Sequence, residues 1–116
     1  MTYDIVALCE RAPAASTTLA AMRECGPSLR VTTIERGAFV QLCDDTDRPL
    51  VTIEGPRLVR VKGEAQRLLG IDADLPHPLW WVEARAARGE PEAAALARRF
   101  TAALLSVTGG TSWASR

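Results

Sequence analysis

Apolar and polar residues alternate through residues 79–87, Leu-Trp-Trp-Val-Glu-Ala-Arg-Ala-Ala. This pattern predicts a strand with Trp80, Val82 and Ala84 on one side and Trp81, Glu83 and Arg85 on the other. One indole then enters the core, and its neighbour stands among charges on the far face. Residues 3–9 form a nearly continuous apolar run, read as a strand buried on both faces. Residues 29–35 and 38–43 flank Arg36-Gly37, the signature of a tight β-hairpin. Its register pairs Glu35 with Ala38, Thr33 with Val40 and Val31 with Leu42. Leu29, Val31, Val40 and Leu42 share one face; Arg30, Thr32, Ile34, Phe39, Gln41 and Cys43 share the other. Asp44-Asp45-Thr46-Asp47 is a turn into a third strand at 49–54. Placing Val51 beside Val40 and Ile53 beside Ala38 continues the core face. Gly55-Pro56 breaks this strand, and 57–61 are read as its extension.

Helical spacing appears in three places. Residues 13–25 open with Pro13, place Leu19 and Met22 inward, and stop at Gly26-Pro27. A short helix at 63–69 carries Ala65, Leu68 and Leu69 and closes at Gly70. Residues 71–78 are a turn-rich linker. Glu90-Pro91-Glu92 starts the longest helix, because proline and acidic residues suit a helix N-terminus. Ala93, Ala97, Phe100, Leu104 and Val107 form its packing stripe. Gly109-Gly110 ends it.

The resulting order, βαβββαβα, predicts a single α+β domain over 1–110. The expected architecture is a two-layer sandwich, with helices on one face of a mainly antiparallel sheet and the other face bare. Residues 111–116 are read as a tail or the start of a further segment.

The 116 residues suit one domain with a core of its own. Fourteen basic and fourteen acidic residues cancel, which argues against a broad electrostatic footprint for nucleic acid or anionic membrane. Cys9, Cys25 and Cys43 are odd in number and widely spaced, so buried reduced thiols are expected. No secretory leader pattern is visible, and no apolar run approaches the ~20 residues that cross a bilayer. A cytoplasmic protein is the expectation.

Candidate chemistry is sparse. Asp44, Asp45 and Asp47 lack the glycine and distal glutamate of a calcium loop, and turn formation explains them better. No metal site is assigned. His77, the one histidine, lies between prolines with no nucleophile tied to it. Gly109-Gly110-Thr111 follows a helix instead of opening one, unlike a phosphate cradle, and no cofactor is expected. Arg85, Arg88, Arg98 and Arg99 suggest a basic strip, but Glu83, Glu90 and Glu92 dilute it. Ile34, Phe39 and Trp81 share the bare sheet face and form the candidate interface, because exposed apolar clusters mark contact surfaces. The alternative is a ligand cleft using Trp80, His77 and Asp45.

Three stretches carry a resemblance: the opening Met-Thr-Tyr-Asp-Ile-Val-Ala-Leu, Gln41-Leu42-Cys43-Asp44-Asp45 with Arg48-Pro49-Leu50-Val51, and Trp80-Trp81-Val82-Glu83. Together they resemble an uncharacterised actinobacterial family whose members tend to be encoded near type VII secretion components. The resemblance implies an accessory role and supplies no catalytic residue. The combined reading is a non-enzymatic module that binds a protein partner or itself as a homodimer. The alternative is a small ligand-binding domain or enzyme.

Overall fold

The computed structural model describes residues 3–26, 28–34 and 39–115. These residues form a mixed fold of six antiparallel strands and three helices. In chain order these are β1 (Tyr3–Cys9), α1 (Ala15–Arg23), β2 (Arg30–Ile34), β3 (Phe39–Cys43), β4 (Pro49–Val59), α2 (Glu64–Leu69), β5 (Leu79–Ala86), α3 (Pro91–Thr108) and β6 (Gly110–Ala114). The strands lie in the sheet order β2-β3-β4-β5-β1-β6.

The main core lies between the sheet and two helices. Ile5, Ala7 and Cys9 of β1 meet Met22 of α1 and Leu96, Phe100 and Leu104 of α3. The side-chain alternation of β5 is the expected one: Val82 and Ala84 point into this core, and Trp80 packs on its margin. Two helical assignments need correction. Val107 is exposed, because the buried stripe of α3 runs through Leu96, Thr101 and Thr108 instead. Leu19 is also exposed, although Met22 is buried as expected.

The hairpin pairs Thr33 with Val40 and Val31 with Leu42, as the alternation predicts. Its expected turn at Glu35–Ala38 lies outside the described residues. β4 differs: Val40 faces Ile53 and Leu42 faces Val51, a slip of two residues that preserves the core face. The cause lies in the preceding turn. Asp44 accepts from the backbone N–H groups of Thr46 and Arg48, so the turn takes in Arg48 and sets Cys43 opposite Pro49. An irregularity between Leu42 and Cys43 supplies the remaining step.

Two departures shape the rest of the molecule. First, α2 does not join the other helices. Its Ala65 packs with Val6, Leu8, Leu79 and Trp81 on the opposite side of the sheet, with Leu69, Leu75 and Trp113 against them. Helices therefore cover both faces, and the expectation of one bare face fails over β5, β1 and β6. Second, the expected tail contains β6. Gly110 sits at φ +121°, and a Cβ there would lie 2.0 Å from the Leu8 carbonyl oxygen. Only glycine lets the chain leave α3 and pair with β1 immediately. The N–H groups of Glu10 and Arg11 close the junction on the carbonyls of Gly109 and Thr108. No described helix is long and apolar enough to cross a membrane.

Candidate interaction surface

The strand registers place Ile34, Phe39, Glu54, Glu83, Val6 and Trp113 in one row across the sheet. All six lie on the face away from α1 and α3. The row brings Ile34 beside Phe39, as expected. It then sets Glu54 directly opposite Glu83, an arrangement that repels when unrelieved. Arg85 relieves it, donating to Glu83 at 2.7 Å and standing 3.6 Å from Glu54.

Trp81 does not join the apolar end of this row. It pairs with Leu8 and Arg57 and retains 7% of its accessible surface. Its indole N–H donates to Glu83 Oε1 at 3.2 Å, so the polar edge of the ring is satisfied within the monomer. The expectation of an exposed ring among charges is corrected here. Glu83 and Arg85 do flank Trp81 along the strand, but α2 and Leu75 seal the ring beneath them. Of the three interface candidates, Ile34 is exposed and Phe39 half-buried.

The alternative ligand residues do not converge. Trp80 and Trp81 lie on opposite faces of the sheet. His77 is exposed before the start of β5, whereas Asp45 lies in the turn near its other end. Eight residues of strand at ~3.3 Å each separate them by roughly 20 Å or more. Asp44 serves its own turn, and its bonds to the Thr46 hydroxyl and the Arg48 N–H hold its carboxyl well below the usual range. Asp47 pairs with Arg30 at 2.7 Å. The three cysteines are free and buried. Burial pushes the Cys9 and Cys25 thiols up, leaving them protonated and poorly nucleophilic at neutral pH.

The exposed apolar surface instead surrounds β2. Every residue of this edge strand is exposed. Val31, exposed at 44%, looks toward α1, whose own Leu19 is exposed at 39%, while Ile34 emerges on the other face. Between α1 and the hairpin runs a groove of about 340 Å³ walled by Pro13, Leu19, Met22, Val31, Val40 and Pro56. Leu19, Met22 and Val31 also wall the adjoining cavity, which continues toward Leu29. Sequence reasoning missed Leu19 and Val31 because the helical spacing of the first and the strand alternation of the second match core positions. What exposes them is the place of β2 at the sheet edge, beyond the reach of α3.

No protein-family model, curated protein or solved structure matches the chain.

Proposed function

We propose that this protein is a non-enzymatic interaction module that docks by its β2 edge. The observation carrying this reading is that β2 is exposed along its whole length, with Leu19, Val31 and Ile34 around it. An edge strand presents unpaired N–H and C=O groups that template another strand. Strand addition uses those groups for affinity and the flanking side chains for selectivity. The first-choice occupant is the same strand of a second copy, giving a homodimer; a strand from another protein is the variant reading. A cytoplasmic, chaperone-like accessory role beside a type VII secretion system is part of the proposal, and the sequence resemblance alone supports its link to secretion.

Sedimentation equilibrium over a range of concentrations tests self-association. The expected result is a reversible dimer that Val31→Lys abolishes while the far-ultraviolet circular dichroism stays unchanged. A wild type that remains monomeric at its highest soluble concentration overturns the homodimer.

A further inference from the structure

Of the four arginines that suggest a basic strip, two are committed within the fold. Arg85 is bound to Glu83, and Arg99 donates to the Cys25 carbonyl at 3.1 Å. The other two, Arg88 and Arg98, line one cleft of about 490 Å³ with Tyr3, Ala87, Glu90, Pro91 and Ala94. That volume lies within the span of small-ligand sites. Pro91, Ala94 and Arg98 follow at spacings of three and four, so α3 turns one stripe toward the cleft. Tyr3 and the residues just past β5 supply the facing wall.

Among the described residues, neither Arg88 nor Arg98 has a carboxylate partner. Glu90 does not neutralise them at close range, because its carboxylate is taken by Arg48. The helix end offers little itself: Pro91 has no N–H, and the N–H groups of Ala93 and Ala94 bond to the Glu90 carbonyl. Recognition in this cleft therefore falls to side chains. Arg98 lies over the Tyr3 ring, its guanidinium carbon 5.8 Å from the ring centroid. A contact of this kind, between the cation and the ring, leaves a guanidinium with N–H donors to offer a planar or tetrahedral oxyanion.

We propose that this cleft binds the oxyanion of a small molecule, carboxylate or phosphate, between Arg88 and Arg98. The apolar wall of Ala87, Pro91 and Ala94 accommodates the body of the ligand. The proposal does not depend on docking at β2, which lies at the far edge of the sheet from β1.

Titration of the isotope-labelled protein with inorganic phosphate and, separately, with acetate at low ionic strength tests it by NMR. The expected result is saturable shifts, with at least one probe, at the Arg88 and Arg98 Nε–H signals and the backbone of residues 87–89. Arg88→Gln and Arg98→Gln should each weaken binding about tenfold, the scale of a lost charge-assisted hydrogen bond. The Arg57→Gln/Arg60→Gln double variant should leave it unchanged. Absence of saturation with both probes overturns the proposal. So does equal weakening in the double variant, which marks general surface charge. A backbone spectrum retained in each variant separates lost binding from lost folding.

Discussion

Trp81→Ala tests whether this ring belongs to the monomer or to a contact with another molecule. The ring is 7% exposed, and it packs in a cluster with Val6, Leu8, Leu79 and Ala65. Truncating a buried tryptophan costs about 3–5 kcal/mol. For 116 residues, an unfolding entropy of about 2.1 cal/mol/K per residue makes ~0.24 kcal/mol per degree. Tm should therefore fall by roughly 12–20 °C, a large share of the ~5–15 kcal/mol that holds a typical domain. Calorimetry at two protein concentrations reads this directly. Trp81→Phe keeps most of the apolar volume and should fall much less, since it chiefly removes the N–H bonded to Glu83. A Trp81→Ala protein that melts within about 3 °C of wild type, against the value worked from these magnitudes, refutes the sealed-ring account. If that variant also lost self-association, the ring would belong to an interface.

Two further outcomes follow from the turns and junctions. Gly110→Ala should cost more than the ~1–3 kcal/mol of backbone strain alone, because its Cβ meets the Leu8 carbonyl. Gly63→Ala, at φ +86° with open space around its Cβ, should cost strain only, and urea denaturation compares the two. Asp44 has a depressed folded-state pKa, so its stabilisation is complete above the unfolded value near ~3.9 and is lost as pH falls through the lower folded value. Urea midpoints at neutral pH and in the acid range should converge for wild type and Asp44→Asn as the acid limit is approached; a gap that stays constant with pH contradicts this.

The legible parts of the fold were those governed by local periodicity. Alternation through 79–87 assigned Trp80, Val82 and Ala84 to one face of β5 and Trp81, Glu83 and Arg85 to the other, as found, and the hairpin register followed from the spacing around Arg36-Gly37. The slip at β4 escaped because Asp44 organises its turn through side-chain bonds, which no alternation rule encodes. β6 escaped for a different reason. Gly109-Gly110 reads as a helix stop, and Thr-Ser-Trp-Ala is too short and polar to announce a strand. Trp81 was placed on the correct face, but its cover was not legible, since α2 and Leu75 reach it only through tertiary packing. Exposure of Leu19 and Val31 depends on which strand ends the sheet, a fact of topology and not of neighbouring residues.

The position of β1 governs the sequence of events when the chain folds. Its neighbours on both sides, β5 and β6, come from the distal third of the protein. A ribosome that has released β1, α1 and the β2–β3–β4 meander has produced a ladder whose remaining half must wait. During that interval Ile5, Val6, Ala7 and Leu8 have nothing to zip against, and closure demands loops of dozens of residues. Such topologies assemble slowly and leave sticky intermediates. A nascent chain arrested before residue 79 should be degraded readily by added protease within β1, and one carried past residue 114 on a linker long enough to clear the ribosomal exit tunnel should resist.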